Sequence, residues 1–447
     1  MDWRRLESTN EGLFHLRSGL CGINYIVQVF LPAITGHVPP EMVRAVNTFM
    51  EFCYLVRRSQ IDEKTLLSID AAIERFHQER EIFIKAGIRE DFSLPRQHSL
   101  LHYSSLIHLF GAPNGICSSI TESKHIQAVK KPWRRSSRNQ ALGQMLLTNQ
   151  RLDKLAAARV DFESRGMLGG ISIMPPSPQA LSQDDDEEGV DAPGVTSLGD
   201  VKLAMRPGKR PSIFNEYFVN DWVSVATQYP KTLHDLADYI GEPKLPEYVR
   251  RFLYDQVYPD ADVCGMDSPL EACPDAPPFL QVKVFHSALA TYYAPSDVSG
   301  IGGMHREWIR ATPSWKNGTS RYDCVFIGKD PKLDGFASLH VARVRLFISF
   351  TVDGVDYQCS LVEWFSSYGD SPCEETGLWR VVPDRDARGR RSMSLIHIDT
   401  ILRAAHLIGV AGDQMLPKSL NYDLSLDAFR CFYVNKYVDY HAHEIAW

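Results

Sequence analysis

Hydrophobic positions recur at helical spacing through the first third of the chain and change to alternation in the last third. Met42/Val43, Val46, Phe49/Met50, Cys53 and Val56 share one face, which predicts a helix over about 40–58 behind the Pro39-Pro40 turn. A second helix begins at a capping Asp62, turns Leu66, Ile69, Ile73, Phe76 and Phe83 inward, and stops at Gly87. A third carries His98 to Phe110 and ends at Gly111. A fourth spans roughly 139–164, with Leu142, Met145/Leu146, Leu152, Leu155 and Phe162 as its apolar stripe.

Beyond residue 278 the period becomes that of strands. Leu280, Val282 and Val284 alternate with polar residues, and Tyr322 to Ile327 is a short buried run. Val341 to Val352 and Val355 to Phe365 flank Asp353-Gly354, the strongest hairpin signal in the chain. Gly377 to Val382 and Ser394 to Asp399 read as further strands, and the aromatic-rich end, Leu426 to Ile445, reads as a helix. Between the two regimes, Pro175-Pro176-Ser177-Pro178 and the acidic run Asp184 to Glu188 predict a disordered linker. The expected organisation is α+β. A helical region covers 1–165, a linker 166–200, and a loose connector 201–278 with helices near 231–240 and 246–257. A β-rich domain over 279–447 closes as a small curled sheet or barrel with a terminal helix.

Composition narrows the setting. Hydrophobic content of 44% and charged content of 23% are those of a globular protein, and a net charge of -7 confines any nucleic-acid contact to a local patch. Nine scattered cysteines, with no Cys-x-x-Cys pair, read as reduced thiols. The start of the sequence has no apolar signal core, and no apolar run nears the about 20 residues of a membrane span. A nuclear or cytosolic protein without membrane contact is expected.

The chemistry concentrates between Leu94 and Arg138. His98 and His102 stand one helical turn apart, a spacing that can share a metal ion, although no Cys-x-x-Cys supplies further ligands; two ordinary histidines are the simpler reading. Glu122 has no acidic neighbour from Ser93 to Leu152. It could be one of several carboxylates around divalent cations, or an acid in a helix's first turn. Lys124, Lys130, Lys131, Arg134, Arg135 and Arg138, with Trp133 among them, form a basic run that no acid interrupts. Such a run neutralises phosphates and offers an indole face for stacking, which points to DNA. Elsewhere, Trp364, Phe365, Tyr368 and Trp379 read as strand core rather than an aromatic pocket, and Glu307, Asp323 and Asp399 as surface charges.

Longer phrases carry a family resemblance. Ser93-Leu-Pro-Arg-Gln-His-Ser-Leu-Leu-His-Tyr, Gly115-Ile-Cys-Ser-Ser-Ile-Thr-Glu-Ser-Lys-His, Tyr293-Ala-Pro-Ser-Asp and Phe432-Tyr-Val-Asn-Lys-Tyr resemble segments of Plavaka-type transposases, fungal CACTA-like DDE enzymes. That resemblance implies a helical region left from an RNase H-like core and its insertion, Glu122 as the third acid, and His98 and His102 as an incomplete zinc-type pair. Nothing upstream of Ser93 resembles the strands that bear the other two aspartates. The intact family's magnesium and zinc are therefore expected to be absent, and so is strand transfer by this chain alone. The β region also resembles a BAH-type or other SH3-like barrel, chiefly through Val341 to Phe350 and Cys359 to Phe365. This leaves a module for a chromatin protein or a transposase partner as the alternative function.

Overall fold

In a computed structural model, which describes residues 28–116, 125–165, 199–203 and 226–447 less 227, 260, 262, 278, 298–302, 316–317, 415 and 418, Asp353-Gly354 closes a long antiparallel hairpin. Both turn residues are left-handed (φ 52° and 79°), the twist that matches paired strands.

The strands are β1 (Gly199–Leu203), β2 (Val282–Phe285), β3 (Ser287–Tyr293), β4 (Met304–Thr312), β5 (Arg321–Tyr322), β6 (Cys324–Gly328) and β7 (Leu339–Val352). They continue with β8 (Val355–Ser367), β9 (Arg380–Pro383), β10 (Met393–His397), β11 (Ile401–Ala405), β12 (Leu407–Gly409) and β13 (Phe432–Val434). One sheet has the order β11-β6-β7-β8-β9-β13-β12, with β2 added to the end of β7 and β10 to β8. The other has the order β1-β3-β4-β5.

His286 separates β2 from β3, and Asp323 separates β5 from β6, so two segments bend from one sheet into the other. At these corners the Ala311 N–H donates to the His286 carbonyl and the Val344 N–H to the Asp323 carbonyl, each at 2.9 Å. A bulge at Arg345, where the register of β7 against β8 shifts, adds bend to the longest strand. The result is a nearly closed antiparallel barrel. Ala288, Ala290 and Ala311 are small enough to let the sheets approach over Ile309, Val344 and Phe347.

Helices precede, interrupt and follow the strands along the chain. α1 (Pro40–Leu55) and α2 (Glu63–Glu79) are followed by α3 (Tyr103–Phe110), α4 (Ala141–Ser164), α5 (Leu233–Ile240) and α6 (Leu245–Val257); α7 (Tyr440–Ile445) comes last. Asp62 caps α2 by accepting the Thr65 N–H at 2.7 Å. α1 has two apolar faces. Phe52 and Leu55 pack on Leu66, Ile69 and Ile107, whereas Val43 and Met50 pack on Leu378, Tyr433 and Tyr437 of the C-terminal region. Gly377, at φ 62°, sits so close to α1 that a Cβ would lie 2.8 Å from the Asn47 side chain.

Several expectations change. Leu426–Ile445 is not one helix: Ser425–Ala428 is a single turn, Phe432–Val434 is strand β13, and only Tyr440–Ile445 is helical. Three successive residues of β13 are buried, which suits a strand covered on both faces and paired with β9 and β12. The segment expected as a loose connector contributes core, because Leu236, Val249 and Phe252 of α5 and α6 pack on Val284, Ile348 and Leu361. The boundary expected at 200 falls inside β1, which pairs with β3. The helix expected from His98 to Phe110 is broken into a turn at Pro95–His98, a 3₁₀ turn at Ser99–His102 and α3. Among the described residues from 28 to 165 there is no strand, and no described helix is long and apolar enough to cross a membrane.

Candidate nucleic-acid interface

The basic run folds as a short helix and a turn seated on α4. Residues Ile126–Lys130 form a π-helical turn that continues into the α-helical Lys131–Arg135. Pro132 explains the irregularity. It has no N–H to donate to the carbonyl four residues back, and its ring crowds that carbonyl, so the backbone widens. The Ala128 carbonyl left over accepts a hydrogen bond from Asn149 Nδ2 of α4 at 2.7 Å. Pro132 itself is buried, as are Ala141 and Met145 of α4.

The turn is held by one side chain. Gln144 accepts the Ser137 N–H at 2.9 Å and donates to the Ser137 hydroxyl (2.8 Å) and the Asn139 carbonyl (2.7 Å). This clamp keeps Arg138 and Gln140 in left-handed backbone, at φ 63° and 49°. With Pro132 turned inward, Lys130, Lys131, Arg134, Arg135 and Arg138 all face solvent, and Trp133 is 45% exposed. None of the five cations forms an ion pair with a described residue. The sixth, Lys124, and the acid Glu122 lie outside the described residues.

His98 and His102 do meet. Their exposed rings stand edge to face with centroids 5.2 Å apart, although each belongs to a different turn. Among the described residues no group of three or more His, Cys, Asp or Glu could hold a metal ion, so this pair does not fit a four-ligand zinc there.

Pattern reading missed three charge clusters built around buried residues of the C-terminal half. In the first, Glu51 of α1 accepts from Lys436 Nζ (2.8 Å), the Tyr437 hydroxyl (3.0 Å) and His443 Nε2 (3.1 Å). Burial alone would raise the Glu51 carboxyl, but Lys436 and His443 hold it well below the carboxylate range. In the second, Arg403 donates to Asp439 and lies 3.4 Å from Glu307. Glu307, expected at the surface, is instead largely buried; its carboxylate also accepts the Ala404 N–H at 2.6 Å, and burial raises its pKa. Asp297 accepts the N–H groups of Tyr440 (2.9 Å) and His441 (3.1 Å), and burial beside Asp439 pushes it up to about 6. In the third, Arg343 and Arg391 share Asp427, with Glu363 nearby. The four aromatics in and next to β8 and β9 do not converge. Phe365 is core, Trp379 stacks on Phe336, the Trp364 indole donates to the Ser394 hydroxyl at 2.7 Å, and Tyr368 lies under Arg380.

No protein-family model, curated protein or solved structure matches this chain.

Proposed function

We propose that this chain is transposase-derived and binds DNA in the nucleus through the basic run at 124–138. On this reading the helical region is what remains of an RNase H-like core and its insertion. Glu122 is the last acid of a DDE set, and the chain alone does not carry out strand transfer. The observation that supports DNA contact is the patch itself: five solvent-facing cations and an exposed indole, unpaired with any described acid, on a turn fixed by Gln144. Each phosphate neutralised releases counterions, and the exposed Trp133 can lie against a sugar or base.

Fluorescence anisotropy with labelled duplex DNA across a salt series tests this. Changing Arg134, Arg135 and Arg138 together to Ala should weaken binding and make the log–log salt slope shallower by roughly 3, at about 0.9 per phosphate contact. An unchanged affinity and slope would reject the assignment and favour the alternative, a β-domain module for a chromatin protein or transposase partner. Magnesium-dependent nicking that Glu122→Gln abolishes would overturn the inactivity.

A further inference from the structure

The outer face of β3, β4 and β5 carries a second arrangement with its own chemistry. Successive outward positions of β4 are Arg306, Trp308 and Arg310, and their inward neighbours Glu307 and Ile309 turn toward Arg403 and the barrel core. The Arg310 guanidinium is sandwiched, with its carbon 4.6 Å from the Trp308 ring centre and 4.5 Å from that of Trp315. The Trp315 N–H donates to the Thr319 carbonyl at 3.0 Å and the Trp315 carbonyl accepts the Gly318 N–H at 2.8 Å. Arg321 of β5 also lies over that indole, at 5.3 Å. Tyr293, across from Met304 on the same face, is 46% exposed, and Trp308 is 41% exposed.

Aromatic and cationic side chains therefore alternate along this face, from Tyr293 through Arg306, Trp308, Arg310 and Trp315 to Arg321. Asp323 is the acid bound within the row: its carboxylate accepts from Arg321 Nε (2.8 Å) and from the Arg310 N–H (2.8 Å). Three guanidiniums thus stand against one carboxylate. Stacking on two indoles holds the Arg310 guanidinium flat and the Asp323 carboxylate fixes Arg321 through Nε and Nη2, so these two side chains have less entropy left to lose on binding. From the level of Tyr293 to that of Arg321 the row runs about 27 Å at strand rise, long enough for a run of roughly four nucleotides.

We propose that this row binds single-stranded nucleic acid, with unstacked bases on Trp308 and Tyr293 and backbone phosphates on Arg306, Arg310 and Arg321. Flat indole and phenol faces need bases freed from a duplex, and the excess positive charge complements a phosphate chain. The site shares no residue with the basic run at 124–138, so it holds or fails independently of the proposed duplex contact.

The test uses the full chain already carrying Arg134, Arg135 and Arg138 changed to Ala, which removes the other patch. Anisotropy is followed with labelled oligothymidylate and oligouridylate of about 15 nucleotides. Retained binding of either, lost about tenfold in Trp308→Ala and in Arg306→Glu and largely restored in Trp308→Phe, supports the proposal. The relative affinity of the two oligomers identifies DNA or RNA as the source. No binding of either oligomer overturns it, as does an affinity unchanged within about twofold in Trp308→Ala. Equal losses in Trp308→Ala and Trp308→Phe, accompanied by a lowered unfolding midpoint, would show that the indole serves packing alone and would also overturn it.

Discussion

Glu51→Gln should separate the N-terminal helices from the barrel. Glu51 sits on α1, and its carboxylate holds Lys436, Tyr437 and His443 from the far end of the chain. Lys436 and His443 are buried, at 7% and 1% exposure, so neither can turn to water when the partner charge is removed. At the observed 2.8 Å, the Lys436 pair attracts by about 6 kcal/mol at an effective dielectric of about 20. Desolvation offsets much of that, but breaking a buried pair from one side leaves the lone cation uncompensated, a loss of about 3–5 kcal/mol. Urea unfolding followed by far-ultraviolet circular dichroism, with hydrogen exchange on α1, measures the effect. Lys436→Met in the Glu51→Gln background should recover most of the loss, since two neutral side chains leave no buried charge unmatched. A Glu51→Gln loss below about 1 kcal/mol, the range of exposed pairs, would refute the reasoning.

The patterns that depend on neighbours in sequence were legible, and those that depend on distant contacts were not. The Asp353-Gly354 hairpin, the Asp62 cap and the helical stripe of α1 each involve residues a few positions apart, and each is present. β3 and β4 were missed because three of their inward positions are alanines. Alanine favours helices in isolation, yet here Ala288, Ala290 and Ala311 serve close sheet approach. The end of the chain failed for a related reason. A continuous apolar run such as Phe432-Tyr433-Val434 has the same appearance in a buried strand as in a buried helix, and pairing with β9 and β12 decides it.

The basic run announced itself because no acid interleaves it, and the structure adds only how Pro132 and Asn149 orient it. The buried clusters had no such signal. Glu51 and Lys436 are 385 residues apart and Arg403 and Asp439 are 36 apart, so each looks like an ordinary surface charge until the fold joins them. Trp308 and Arg310 were equally silent, because alternation along a strand matters only once the strand is recognised.

Two further outcomes follow from the same contacts. Gly377→Ala puts a Cβ 2.8 Å from Asn47 and imposes a side chain at φ 62°, so it should destabilise by about 1–2 kcal/mol from backbone conformation alone and raise hydrogen exchange in α1; unchanged exchange would exclude the close approach. The pH dependence turns on His441, whose ring stacks on Tyr292 and whose Nδ1 lies 3.1 Å from Arg403, a donor that requires a neutral imidazole. Burial and Arg403 lower its pKa from 6.5 to about 4, and burial lowers His406 and His443 as well. Below 6.5 the unfolded chain therefore binds protons that the folded chain refuses, and stability falls with pH down to about 4. Asp297 acts in the opposite sense. Raised from 3.8 to about 6, it binds its proton more tightly when folded, so its contribution is complete below 3.8 and is lost as pH rises through about 6. His77 and His340 are lowered by burial too, and Glu307 is raised like Asp297, so five imidazoles stand against two carboxyls and the urea midpoint should fall between pH 7 and pH 5, less steeply in His441→Gln and more steeply in Asp297→Asn; a midpoint that rises toward pH 5 would reverse the assignment of which groups control it.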